Sequence, residues 1–270
     1  MTGVTGRFDR QLIMSGFGPA EQERLGRATA MVAGIGGLGG TAATYLAAAG
    51  IGRLVLFHPG LLELPDLNRQ TLMRPEWLGR ERAECARETL NGYYPDVEIV
   101  AVNQGVGREL SSWLPEVEVV LDCRHNFPER FLLNSLCVAA GVPLVEAAMN
   151  EADGYLTVIL PEETPCLKCL YPEGDPGWDP LGFPVLGAVS GTLGCLAAIE
   201  AIKLITGWGQ PLKGRLLLLE MEGGNTRTLP VQRDPFCPVC RETAVEEGGD
   251  VITGIYQGGQ AVAAPVHCKY

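Results

Sequence analysis

A chain of 270 residues with 46% apolar residues can bury a sizeable core, which excludes wholesale disorder. Its net charge of −11 argues against a general binder of nucleic acid or of acidic membranes, since neither phosphate surface attracts it. The start, MTGVTGRFDRQLIMSGFG, lacks a basic segment followed by a long apolar run, so a cytoplasmic protein is expected.

Residues 1–27 read as a helical lead-in broken by Gly and Pro. ATAMVAGIG (28–36) is predicted as a strand entering a glycine loop, GGTAATYLAAAG (39–50) as a helix of small residues, and RLVLFH (53–58) as a strand. After a loop come a charged helix (80–94) and strands at 97–104 and 117–123, the second ending in polar RHN. A helix (129–141) and strands at 142–149 and 154–161 follow. A Pro- and Gly-rich stretch (171–187) precedes a helix at 192–207 and a late strand at 215–222. The uncharged runs 31–52 and 181–199 approach membrane length. The first is better read as strand, loop and helix, and the second as a buried core helix running into amphipathic AAIEAIKLI.

Strands alternating with helices predict an α/β fold with a Rossmann-like, largely parallel sheet and helices on both faces. One domain is expected over 1–242, with 243–270 as a loose tail. Gly34, Gly36 and Gly39 form GxGxxG between a strand and a helix, a pattern that lets backbone N–H groups approach a phosphate. The motif alone does not separate NAD from ATP, nor binding from close helix–strand packing. The next strand ends on His58-Pro59-Gly60, where a nucleotide fold ordinarily places a ribose-binding acid.

Nine cysteines, an odd number, argue against a disulfide framework. Cys166-x-x-Cys169 and Cys237-x-x-Cys240 suit a closed, structural four-thiolate zinc site that staples a C-terminal segment to the main domain. A redox pair or unpaired thiols are the alternatives. Cys195 lies in an apolar helix and reads as core; Cys123 follows a strand at the presumed pocket and reads more as packing than as a thiol near substrate.

RFDRQ (7–11), GIGGLGG (34–40), DLNRQTL (66–72), LDCRHN (121–126) and the two CxxC pairs, in that order, resemble the ThiF/MoeB/HesA family, bacterial relatives of the ubiquitin-activating E1 enzymes. The likeness covers roughly residues 5–242. It implies a homodimeric adenylyltransferase with structural zinc that uses ATP and Mg²⁺ on the C-terminal Gly-Gly carboxylate of a ubiquitin-like sulfur-carrier protein. Carried over by position, Gly34, Gly36, Gly37 and Gly39 would form the phosphate loop. Arg69 would contact phosphates, followed by Gln70, and Arg10 would reach the phosphates of the neighbouring subunit.

Four departures fall on the chemistry. His58 and Gly60 replace the two acids of the family's DxD, His125 replaces the Asp that holds Mg²⁺, and Arg82 replaces a catalytic Lys. The loop 174–187 has no Cys where the family carries a reactive one. Neutral His can accept a hydrogen bond at ribose but is a poor Mg²⁺ ligand, and Arg124 adds a cation near the phosphates. Three functions are compatible with this pattern: adenylation of a carrier protein, adenylation of a small-molecule carboxylate, or a non-catalytic scaffold.

Overall fold

The computed structural model describes residues 6–174 and 184–241. The expected tail at 243–270 lies outside the described residues. Two short helices, α1 (Asp9–Leu12) and α2 (Pro19–Arg27), lead into β1 (Thr29–Ala33), α3 (Gly37–Ala49) and β2 (Arg53–Phe57). Next come α4 (Arg82–Tyr93), β3 (Glu98–Val102), β4 (Val119–Asp122), α5 (Phe127–Ala140) and β5 (Leu144–Asn150). The described part closes with β6 (Asp153–Ile159), α6 (Leu167–Leu170), α7 (Gly187–Thr206), β7 (Arg215–Glu220) and β8 (Asn225–Pro230). Short 3₁₀ segments lie at Leu64–Asn68, Pro75–Trp77 and Arg108–Glu116.

All eight strands form one sheet in the order β3-β2-β1-β4-β5-β6-β7-β8. The first five are parallel; β6, β7 and β8 extend it antiparallel. Every residue of β1 and β4 is buried, as a strand covered on both faces requires. Alternate residues feed two cores. Ala30, Val32, Leu54 and Leu56 face the side of α3, α4 and α7, while Met31, Ala33, Val55 and Phe57 face the side of α5. The α/β architecture with a largely parallel sheet and helices on both faces is as the sequence predicts.

Helix α7 is long and apolar enough to cross a membrane by length and composition. In the fold it lies against α3 and the sheet, with Val189, Leu193, Ala197 and Ala201 buried in the shared core. The small residues of both helices explain the close approach. A Cβ on Gly194 would stand 2.4 Å from the Leu38 carbonyl oxygen and 2.7 Å from Thr41 Cβ. This packing also corrects the predicted start of α7. Residues 187–191 are helical although two of the five are Gly: Gly187 packs against the Asn68 carbonyl and Gly191 lies beside Thr41 of α3, while Val189 is buried.

Strand β8 and the longest 3₁₀ segment are among the elements that escape the sequence patterns. Strand β8, NTRTLP, is exposed at all six positions and has no apolar alternation; backbone pairing along β7 defines it. The 3₁₀ segment at Arg108–Glu116 buries only Leu110 and Leu114, too sparse a signal to read as an element. Cys195, expected in the core, is half-buried.

Gly194→Val tests the helix contact. Overpacking against a backbone oxygen is expected to cost about 1–3 kcal/mol in urea unfolding. A wild-type midpoint would show that α3 and α7 are not tightly apposed.

Candidate nucleotide site

A cavity of about 380 Å³ opens at the carboxyl ends of β1, β2, β4 and β5. In an open α/β sheet this is where ligands bind, at the point where strand order reverses, here between β1 and β4. Gly36 and Gly37 line it at the N-terminus of α3, whose unpaired N–H groups favour an anion. Gly34 has φ +106°, and a Cβ there would lie 2.5 Å from the Cys123 carbonyl oxygen. Gly39 is packed just as closely, its Cβ position 1.8 Å from the Gly34 oxygen. A Cβ on Gly36, by contrast, would meet no protein atom within 4 Å. Gly34 and Gly39 therefore shape the turn, and Gly36 leaves space for a ligand.

Besides Arg130, three arginines line the cavity: Arg69, Arg82 and Arg124. Two carboxylates that do not line it hold them in place. Asp66 is 7% exposed and accepts from Gln70 Nε2 at 2.8 Å, Arg69 Nη2 at 3.3 Å and Arg82 Nη1 at 3.4 Å. Glu129 Oε2 accepts from Arg124 Nε at 2.8 Å and Nη2 at 2.6 Å, and from Asn126 Nδ2 at 2.5 Å. Burial works to raise the Glu129 pKa, but the charge and hydrogen bonds of Arg124 hold it below its ordinary value. Burial lowers the pKa of Arg82, against the pull of Asp66.

The substitutions at 58, 60 and 82 are geometrically linked. Arg82 Nη2 donates to the Pro59 carbonyl at 3.0 Å, and a Cβ on Gly60 would stand 2.9 Å from that nitrogen. Gly60 also has φ +90°, which disfavours any side chain. The guanidinium thus takes the space beside residue 60, and no acid fits there without displacing it.

His58 is 7% exposed at the end of β2. Its Nδ1 accepts the Ile35 backbone N–H at 2.8 Å, which ties β2 to the glycine loop. The proton therefore resides on Nε2, which is buried and has no hydrogen-bond partner among the described residues. Since His58 lines the cavity, this N–H is a donor available to a ligand. Burial, then Arg82 and Arg124, push its pKa well below the ordinary value. His125 lies at the exposed rim of the cavity, its pKa lowered by burial and by Arg124.

Beyond the arginines the cavity continues between Phe127, Tyr155, Tyr171 and Met149. Arg130, 5% exposed, pairs with Glu146, donates to the Tyr155 hydroxyl at 2.5 Å and stands 5.2 Å from the Phe127 ring centroid. Sequence reasoning missed this wall; its one signal is a lone Arg on the apolar face of ERFLLN. Cys123 lines the cavity, but burial and then Asp122 push its thiol well above the ordinary value, so it is a poor nucleophile. Gln70 is 3% exposed and also lines the cavity. Arg10 does not: it is exposed on α1.

The four predicted cysteines converge. Cys166 and Cys237 have Sγ atoms 3.6 Å apart, Cys169 and Cys240 3.4 Å apart, and all four lie within 4.8 Å of one another. A tetrahedral ion with Zn–S bonds of about 2.3 Å sets sulfurs roughly 3.8 Å apart, so the cluster could hold zinc. Its place between α6 and the segment after β8 fits a staple. The residues do not fit Mg²⁺ equally well. The carboxylate among the cavity-lining residues is Asp153, on the β5–β6 hairpin, while the glycine loop is ringed by nitrogen groups.

His58 offers a direct check on this geometry. Long-range ¹H–¹⁵N spectra are expected to show a neutral Nε2–H tautomer still present at pH 6, below the ordinary histidine pKa of about 6.5. Because the unfolded chain takes up that proton and the folded chain does not, His58 lowers stability as pH falls through this range. An imidazolium at pH 6 would contradict the bond to Ile35.

Comparison with known proteins agrees with the architecture. The ThiF family model matches residues 8–239. The heterocyst protein HesA of Trichormus variabilis is 50% identical over 239 residues, covering 88% of this chain and 89% of that protein. The sulfur carrier protein adenylyltransferase of Thermus thermophilus is 37% identical over 246 residues, covering 87% and 90%. The crystal structure of Escherichia coli MccB superposes with a TM-score of 0.79 at 19% identity, covering 96% of this chain and 76% of that one. The glycine loop, the sheet and the extent of these matches agree, and the chain belongs to the ThiF family.

Proposed function

We propose that this protein is an ATP-dependent adenylyltransferase that activates the C-terminal Gly-Gly carboxylate of a ubiquitin-like sulfur-carrier protein. The observation that carries the reading is the cavity in which the N-terminus of α3, Arg69, Arg82 and Arg124 surround the space left by Gly36. The printed name of the Thermus relative, a sulfur carrier protein adenylyltransferase, supports the substrate class. In the proposed reaction a carboxylate oxygen attacks the α-phosphorus of ATP, the bond to the bridging oxygen breaks, and pyrophosphate leaves. Two anions must meet, so positioned guanidinium donors lower the barrier by offsetting the charge that gathers on the phosphoryl oxygens. Gly34, Gly36, Gly37 and Gly39 carry the phosphates in this reading, with Gln70 beside them. His58 Nε2–H donates to a ribose oxygen, which reverses the polarity of the usual acid contact. His125 lines the phosphate end of the site.

The protein works as a homodimer in this reading, because Arg10 stands outside its own chain's cavity, on a helix followed by the exposed Ile13 and Met14. Arg10 then completes the neighbouring subunit's site. The aromatic wall of Phe127, Tyr155 and Tyr171 favours a second reading, a substrate whose carboxylate is carried by a bulkier group than glycine.

ATP–pyrophosphate exchange tests the proposal. Exchange is expected only when a carrier ending in Gly-Gly is present. Gly36→Ala should leave thermal stability unchanged, as its Cβ meets nothing, yet reduce exchange by at least about tenfold by filling the phosphate space. Full exchange in this variant would remove Gly36 from the phosphate site. Exchange driven by a small carboxylate and not by a carrier would favour the second reading.

The cysteine cluster is proposed to hold one structural Zn²⁺, with no open position for chemistry. Metal analysis should find one zinc per chain. Cys237→Ser should lose it and unfold at a temperature lower by roughly 10 °C or more, because ion binding contributes directly to folding. A zinc-free protein of unchanged stability would contradict the staple.

A further inference from the structure

We propose that the cavity binds ATP without a divalent cation, with the guanidinium of Arg124 taking the position and counter-charge that an ion would otherwise supply. The inference rests on the nucleotide reading of the site and concerns how its phosphates are neutralised. Mg²⁺ prefers oxygen ligands in a near-octahedral set and is usually anchored by one or two carboxylates as well as by the phosphates. Around the glycine loop the cavity offers imidazoles and guanidiniums instead: His58, His125, Arg69, Arg82 and Arg124. The two carboxylates that hold these arginines are committed. Each of them lies behind an arginine and accepts its hydrogen bonds, Asp66 from Arg69 and Arg82, Glu129 from Arg124. Neither lines the cavity.

Arg124 is the best placed of the three. It is 6% exposed, and its Nε–Nη2 edge is held by Glu129. Glu129 is fixed in turn by the Val106 backbone N–H at 3.1 Å and by Asn126, the residue that caps α5. The backbone N–H of Arg124 donates to Asp122 Oδ1 at 2.9 Å. The remaining Nη1 lies 3.4 Å from His58 Nδ1, a nitrogen already accepting the Ile35 N–H. That leaves Nη1 as a rigidly aimed donor on the cavity side. A guanidinium so held gives charge-assisted hydrogen bonds to phosphate without the ordering cost of a free side chain.

The test is calorimetric titration of ATP into the zinc-loaded protein, in buffer freed of divalent ions by chelating resin and again with millimolar MgCl₂. The expected dissociation constants agree within about threefold. A second titration uses Arg124→Gln combined with Glu129→Gln, which removes the guanidinium together with the carboxylate it holds and so leaves no unpaired buried charge. In the metal-free buffer this variant should bind ATP at least about tenfold more weakly, and AMP should lose less. His125→Asp should acquire a dependence on MgCl₂ that the parent protein lacks. Binding by the parent that tightens tenfold or more with MgCl₂ would overturn the inference. Asp153→Asn would then show whether the hairpin carboxylate holds the ion. No ATP binding in either buffer would overturn the nucleotide reading itself, and this inference with it, so the two failures are distinct.

Discussion

A buried carboxylate must be paired, and in this molecule that requirement organises the site. Asp66 lies under the loop between β2 and α4 and gathers Arg69, Gln70 and Arg82, three side chains brought from two separate segments. Glu129 does the same for Arg124 from the first turn of α5. Leaving either acid unpaired in the interior would cost several kcal/mol, so each arginine is held where its other face meets the cavity. The anions face the protein and the cations face the ligand space. This polarity is what a polyphosphate site needs, and it is built without loading the cavity with carboxylates.

The departures from the family pattern form one connected set rather than scattered losses. Arg82 occupies the room beside Gly60, so the larger guanidinium and the missing acid go together. His58 places no negative charge beside Arg82 and Arg124, and its Nδ1 still accepts the Ile35 backbone N–H. It keeps one polar atom, Nε2, for whatever fills the cavity. In the proposed reading the ribose of the nucleotide satisfies this donor.

Much of this was legible in the sequence, for identifiable reasons. The alternation of apolar strands and helices specified the sheet, because β1, β2 and β4 are covered on both faces and read as continuous apolar runs. The glycine loop and the CxxC pairs were legible because each is defined by local spacing. Strand β8 was not, since its residues are all exposed and its place comes from pairing with β7. Nor was the wall of Phe127, Tyr155 and Tyr171, assembled from three elements far apart in the chain. Asp66 was visible only as part of DLNRQ; its role as the common anchor emerges when α4 delivers Arg82 to it. Arg10 is in the opposite position: its motif is plain, but its own chain offers it no place in the cavity.

The pose of the nucleotide is therefore decisive. Its most direct measurement is a crystal structure of the protein with a non-hydrolysable ATP analogue. The prediction is a triphosphate over Gly36 at the N-terminus of α3, within hydrogen-bond distance of Arg69, Arg82 and Arg124, with the ribose at His58 Nε2 and the partner subunit's Arg10 closing the phosphate end. An analogue bound elsewhere, or with its phosphates turned away from the three arginines, would contradict it.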